Sequence, residues 1–191
     1  MQKKEIITIT GTIGSGKSSV ADKIAEKLGY RRFSSGDFMR KIALDMGLTL
    51  NELSLQAQTS KGIDLKIDEE VKKAGELDKI VIDSRLAFHW IPKSFKVYLD
   101  LPPEIAKERI LKNLKENKLR QESEHATTPE EVYGQIRRRR RSEEYRYMKL
   151  YGVNHTDHSN FDLVIDTNKN DLNQVVDIIV REYKKWREKI K

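Results

Sequence analysis

The segment Gly11-Thr12-Ile13-Gly14-Ser15-Gly16-Lys17-Ser18 places a lysine and a hydroxyl directly after a glycine-rich loop. Glycines let successive backbone N–H groups turn inward around a phosphate. A following helix start adds partial positive charge, a lysine reaches β- and γ-oxygens, and a serine hydroxyl ligates Mg²⁺. A loop serving only as a tight turn has no use for Lys17 or Ser18, so the segment is read as a phosphate-binding loop for a nucleoside triphosphate.

Phosphoryl transfer between two polyanions needs fixed cations that offset their repulsion and the charge spread over the moving group. Arginines stand where this requires them: Arg40 after Ser34-Ser35-Gly36-Asp37, Arg85 after Val81-Ile82-Asp83, and the run Arg137 to Arg141 followed by Arg146. Between Arg137 and Lys149 there are seven basic and two acidic residues, a local balance of +5 within a chain of net charge +7. Five consecutive arginines cover every face of a helix, so at least one points at whatever that helix lies on; which of Arg138, Arg139 and Arg140 does so is open. Asp83 closes a strand expected beside the loop strand, where a carboxylate holds the water shell of Mg²⁺. A phosphate acceptor is already ionised and needs no side-chain base, and no obvious base accompanies these groups.

The elements that must hold these residues are legible. Ile6 to Thr10 is β-branched and ends at Gly11. Val20, Ile24, Ala25 and Leu28 then recur at helical spacing until Gly29. A short extended stretch at Arg31 to Phe33 precedes a helix over Phe38 to Asp45 capped by the serines. Leu48 to Gly75 is polar and helical, with Thr49 and Glu52 forming a capping box. Strands follow at Lys79 to Asp83, Phe95 to Leu99 and Leu163 to Asp166. Helices run from Pro103 to about Lys115, from Thr128-Pro129-Glu130-Glu131 through the arginine run, and along a closing stripe of Leu172, Val175, Val176, Ile179, Tyr183 and Trp186. Lys115 to Thr128 is read as a mobile loop. Strands separated by helices predict an α/β fold with a parallel sheet covered on both faces.

The 191 residues fit one domain. The absence of cysteine excludes a disulfide scaffold, an iron–sulfur cluster and a thiol nucleophile, and suits a reducing cytoplasm. No apolar run approaches the roughly 18–20 residues that cross a bilayer, so no membrane partner is expected. His155, Asp157 and His158 lie in a polar loop and are read as solvated, without a structural metal.

Taken together, the glycine loop, Ser34-Ser35-Gly36-Asp37 with Arg40, Val81 to Ala87, Arg139-x-x-Ser142-Glu143-x-x-Arg146-Tyr147, Tyr151-Gly152 and Asp162 to Thr167 resemble the archaeal-type cytidylate kinases. The resemblance implies a P-loop kinase with a five-stranded parallel sheet. Its core would be 1–32, 76–120 and 147–191, its monophosphate-binding lobe 33–75 and its lid 121–146. It implies transfer of the γ-phosphate of ATP to CMP or dCMP with Mg²⁺, by a cytoplasmic monomer. Gly14, Gly16, Lys17, Ser18 and Ser19 would hold ATP phosphates, and Ser18 and Asp83 the metal, the latter through water. Ser35, Asp37, Arg40 and Arg85 would bind the acceptor, Lys17, Arg85, Arg139 and Arg146 would act at the transferring group, and Thr167 to Asn170 would flank adenine. Asp83-Ser84-Arg85 departs from the family's common Glu-Gly-Arg by a shorter carboxylate and a lost glycine. For the base, Asp64 or Asp68 could accept from a cytosine amino group; both are equally readable as acids near a helix start.

The alternatives are a kinase for AMP, UMP or a hydroxyl acceptor, the last using Asp37 or Asp83 as base, and an RNA-associated ATPase in which Tyr133, Tyr145, Tyr147 and Tyr151 stack on bases beside the arginines. Tyr147 and Tyr151 lie one helical turn apart, which suits inward packing instead, and nucleic acid is not the expected partner.

Overall fold

The computed structural model describes residues 4–116, 118–124 and 128–189. A five-stranded sheet has the order β2-β3-β1-β4-β5, with every pairing parallel. Its strands are β1 (Ile6–Gly11), β2 (Arg31–Ser34), β3 (Ile80–Asp83), β4 (Phe95–Asp100) and β5 (Leu163–Asp166). β1 is central and fully buried, which is why it lacks the alternation of a half-exposed strand.

Helices cover both faces. On one side α1 (Lys17–Leu28) and α9 (Leu172–Lys189) pack Val20, Ile24, Val175, Ile179 and Tyr183 onto Ile7, Ile9, Val97 and Leu99. On the other, α4 (Lys61–Gly75) and α5 (Ala87–Trp90) bring Val71, Ala74 and Ala87 onto Ile6, Ile80 and Ile82. The polar side chains of β1 on that face are satisfied: Thr8 Oγ1 and Ser94 Oγ share a bond of 2.9 Å, and Thr10 Oγ1 donates to Ser84 O at 2.9 Å. Ser84, where the resemblance leads to a glycine, is buried.

Beyond the sheet's carboxyl edge, α2 (Ser35–Asp45) and α3 (Leu50–Gln56) complete a helical lobe with α4, while α6 (Pro103–Glu116) packs Ala106, Ile110 and Leu114 on Val132 and Ile136 of α8 (Pro129–Tyr151). Both expected capping boxes are present, Thr49 with Glu52 and Thr128 with Glu131. No described helix is long and apolar enough to cross a membrane.

The extended stretch expected at Arg31 to Phe33 is a strand, paired residue for residue with β3 from Arg31–Ile80 to Ser34–Asp83, and the expected serine cap is Ser34, whose Oγ accepts from Asp37 N, so the helix starts at Ser35 rather than Phe38. One local expectation is corrected. Within the segment read as a mobile loop, Lys118–Ser123 forms a helix, α7, where Ser123 Oγ donates to Leu119 O at 2.6 Å. Glu124 beyond it is held by Arg40. Residues 117 and 125–127 of that segment lie outside the described residues.

Candidate active site

The glycine loop leaves β1 at the carboxyl edge of the sheet and enters α1, so its backbone N–H groups and the helix start face one crevice. Gly11 has φ +148°, and a Cβ there would sit 2.2 Å from Leu99 O, so glycine is needed for the close approach to β4. Gly16 has φ +85° at the helix start. Lys17 Nζ donates to Gly11 O at 3.1 Å and Thr12 O at 2.8 Å. Ser18 Oγ, in the first turn of α1, donates to Asp83 Oδ2 at the end of β3 at 2.8 Å. A hydroxyl next to a buried carboxylate is the hard-oxygen set that Mg²⁺ takes, so these residues fit the metal that the phosphate chemistry implies.

Asp83 is also ringed from β2 and α2. Ser34 Oγ donates to Asp83 Oδ2 at 3.4 Å, Ser35 Oγ to Asp83 O at 3.4 Å, and Arg32 Nη2 lies 3.8 Å from Asp83 Oδ2. Arg32 was not singled out from sequence, yet it faces three carboxylates. Besides Asp83, its Nη1 donates to Asp37 Oδ2 at 3.0 Å, and its Nε forms an ion pair with Asp22 Oδ1 at 3.0 Å, off the hydrogen-bonding direction. An arginine on a short strand gave no signal until that strand was known to lie beside β3.

Three arginines share the crevice with Lys17. Arg40 is 5% exposed, with Nε and Nη2 donating to Glu124 Oε1 at 3.1 and 2.8 Å and Nη1 to Asp37 Oδ1 at 3.4 Å. Arg85 donates from Nε to Glu143 Oε2 at 2.9 Å and from Nη1 to Gly11 O, tying it to the phosphate-binding loop. Arg139 enters from α8, with Nη2 3.8 Å from Glu143 Oε1 and a buried Nε that has no hydrogen-bond partner. Burial pushes the Arg139 guanidinium below its usual value against the pull of Glu124 and Glu143, with Arg40 and Arg85 adding repulsion. The open choice within the run is settled as to position: Arg137, Arg138 and Arg141 are exposed, and Arg140 pairs with Glu144 at 2.8 Å on the outer surface. Met39, Ile67, Leu86 and Tyr147 give the crevice an apolar and aromatic wall.

The structure does not bring Arg146, Asp64 or Asp68 to this crevice. Arg146 is 3% exposed, donates from Nε to Asp64 Oδ2 at 2.8 Å and from Nη1 to Ser54 O at 3.0 Å, and meets Ser142 Oγ. It therefore fastens α8 to α3 and α4, and the expectations of a phosphate contact for Arg146 and a base contact for Asp64 are corrected to one buried ion pair. Asp68 accepts from Trp90 Nε1 at 3.0 Å and from Tyr151 OH, so neither acid is a solvated helix-start residue. Arg146→Ala should lower stability by about 3–5 kcal/mol, because Asp64 would be left buried and unpaired. Calorimetry checks this: an unchanged melting temperature together with lost turnover would return Arg146 to the reacting phosphates.

His155 is 4% exposed, which overturns its reading as solvated, and its Nε2 lies 3.9 Å from Glu143 Oε2 with the Tyr147 ring edge-on beside it. Burial pushes the imidazole down to about 4, against the pull of Glu143. Glu143 is itself raised by burial, but Arg85 and Arg139 outweigh that and hold it down to about 2. Both groups bind protons more readily in the unfolded chain, from the ordinary values of 6.5 and 4.5. Stability is therefore fully present above pH 6.5 and falls as pH drops, first through the histidine window and then through the glutamate window. Replacing His155 with Asn should remove a slope of about 3 kcal/mol between roughly pH 6.5 and 4, read from urea midpoints against pH; an unaltered slope would show that His155 is protonated in the fold.

The description cytidylate kinase-like family matches residues 6–169. A cytidylate kinase of Methanocella arvoryzae is 36% identical over 178 residues, covering 92% of this chain and 95% of that one. The cytidylate kinase of Pyrococcus furiosus is 32% identical over 166 residues, covering 86% and 80%. An S-adenosylmethionine-dependent nucleotide dehydratase of Lacinutrix mariniflava is 35% identical over 184 residues, 95% of this chain, which spans only 36% of that protein's length. Among solved structures, a shikimate kinase of Acinetobacter baumannii has a TM-score of 0.60 at 15% identity, covering 93% of this chain and 92% of that one. A deoxyadenosine kinase of M. mycoides has a TM-score of 0.54 at 17% identity, covering 94% and 99%. These likenesses establish the P-loop kinase fold.

Proposed function

The chain belongs to the cytidylate kinase-like family, and from that premise we propose that it transfers the γ-phosphate of ATP to CMP or dCMP, giving ADP and CDP or dCDP. The observation that carries the reading is the sharing of one crevice by Lys17, Arg40, Arg85 and Arg139, with the Nε of the largely buried Arg139 lacking a hydrogen-bond partner. Such a cation is stable only where an anion will meet it. The dehydratase name belongs to a protein nearly two thirds of which lies outside the match, and its activity is not carried to this chain.

In this mechanism the loop from Gly11 to Ser19 holds the ATP phosphates, with Lys17 turning from its loop carbonyls to the β- and γ-oxygens. Mg²⁺ entering with ATP would be held by Ser18 and, through water, by Asp83, and supplies positive charge at the phosphates. Ser35 and Arg40 in the lobe and Arg85 after β3 receive the acceptor phosphate, while Asp37 orients Arg40. Arg139 meets the group in transit, where its charge stabilises the oxygens that gain charge. The acceptor oxygen is already ionised, so no proton has to be removed. A hydroxyl acceptor fits less well, since Asp37 is engaged by Arg32 and Arg40, and Asp83 by Ser18 and Ser34. Met39, Ile67 and Tyr147 offer the base an apolar and aromatic wall, and the Thr167 to Asn170 loop would flank adenine.

The lobe at 33–75 and the lid at 121–146 close over both nucleotides and keep water from ATP until the acceptor is present. The Arg40–Glu124 ion pair joins the lobe to the lid.

ADP release with Mg-ATP and each of CMP, dCMP, UMP, AMP and GMP tests the reading. Saturable turnover with CMP or dCMP is expected. Preference for AMP or UMP would overturn the base assignment. Acceptor-independent hydrolysis stimulated by RNA would overturn the kinase reading.

A further inference from the structure

We propose that Glu143 is a positioning residue for phosphoryl transfer, its two carboxylate oxygens holding Arg85 on the acceptor side and Arg139 on the transfer side of one crevice. The proposal rests on the kinase reading given above and assigns this site a group that touches neither nucleotide.

The geometry supports it from three directions. Glu143 stands one helical turn after Arg139 on α8, so both side chains leave the same face of that helix. Oε2 accepts from Arg85 Nε at 2.9 Å, while Oε1 faces Arg139 Nη2 at 3.8 Å. Two guanidinia in one crevice, each only 13% exposed, repel each other, and a single carboxylate between them offsets that repulsion where little water reaches. Its side chain is only 7% exposed, and its ionised state is secured by those same arginines.

The second support is what Glu143 leaves open. Arg85 is fixed at Nε by Glu143 and at Nη1 by Gly11 O. Among the described residues no hydrogen bond is made by its Nη2. A guanidinium held on two of its nitrogens presents the third in one direction, which is the preorganisation that an acceptor phosphate requires. The third support is the Gly11 contact itself: an arginine braced by Glu143 against the ATP loop has its height above that loop set by the carboxylate.

Glu143→Gln keeps the shape and an acceptor oxygen but removes the charge. Steady-state kinetics with ATP and CMP should show kcat/KM for CMP falling about 10- to 100-fold through both a higher KM and a lower kcat, with ADP affinity by calorimetry changed less than about twofold. In an Arg85→Ala/Arg139→Ala background the same substitution should add less than about a threefold further loss, because the carboxylate acts through those two arginines. Glu143→Asp, a carboxylate one methylene shorter, should fall between the wild type and Glu143→Gln. It carries the test if Glu143→Gln fails to fold.

A full, undiminished loss in the Arg85→Ala/Arg139→Ala background would overturn the proposal. So would a fall in kcat alone that matches the folded fraction measured by circular dichroism, the pattern of a purely structural residue. The wild type measured alongside separates the two levels. Failure of the wild type to phosphorylate any monophosphate overturns the kinase reading and the proposal with it, whereas an active wild type with either pattern above overturns only the role of Glu143.

Discussion

Lys17→Met is expected to lower phosphoryl transfer by about 10³-fold or more while moving the melting temperature by only a few degrees. Lys17 starts α1 behind Gly16, and its amino group bonds to the loop carbonyls of Gly11 and Thr12 rather than to the core. Methionine has a similar length and helix propensity, so the fold loses little. The transferring phosphoryl group loses a cation on the oxygens where charge concentrates. A coupled ADP-release assay and a thermal melt on the same preparation check both halves. A variant retaining a tenth or more of wild-type turnover would remove Lys17 from the mechanism and the glycine loop from the ATP site.

Arg139→Ala is expected to cost about 10²–10⁴-fold in kcat with ATP affinity retained, the range for a preorganised group that acts on developing charge. Its effect on stability should be small or favourable. The side chain is 13% exposed, with one long ion pair and an unpartnered Nε, so removing it relieves desolvation while Glu143 keeps its bond from Arg85. The neighbouring Arg138→Ala and Arg141→Ala, both at exposed positions, should change kcat by less than about threefold. The contrast between adjacent residues of like charge separates a positioned cation from a general basic surface. If all three variants lose activity alike, the run acts as a diffuse field and Arg139 holds no special place. Arg146→Ala has the opposite signature, with stability lost first, because its partner Asp64 would be stranded.

Local signals in the sequence were enough for the frame. The β-branched run ending at Gly11 marked the central strand, and Thr128-Pro129 with Glu131 marked the start of the long helix. The glycine loop carried its own chemistry because its backbone conformation and its functional side chains are contiguous. What the sequence left open was set by pairing over long separations. Arg139 and Arg146 stand two helical turns apart on α8, yet one faces the crevice and the other closes on Asp64, 82 residues away, a distinction decided by how α4 and α8 meet. His155 looked solvated among polar neighbours and is buried because the turn after α8 folds back onto Tyr147 and Glu143. Arg32 gave no motif at all, since its partners Asp22, Asp37 and Asp83 come together only when β2 docks beside β3. Glu143 did carry a signal, an acid one turn after an arginine within a basic run, but that spacing equally describes a surface ion pair such as Arg140 with Glu144.

In the proposed reaction one crevice passes a phosphoryl group directly from ATP to a pyrimidine monophosphate. The most direct measurement follows the label of γ-³²P-ATP incubated with the protein, Mg²⁺ and CMP or dCMP, with products resolved by chromatography. The account predicts label in the β-phosphate of CDP or dCDP, appearing in step with ADP. Label released as inorganic phosphate at a rate indifferent to CMP and dCMP would contradict it.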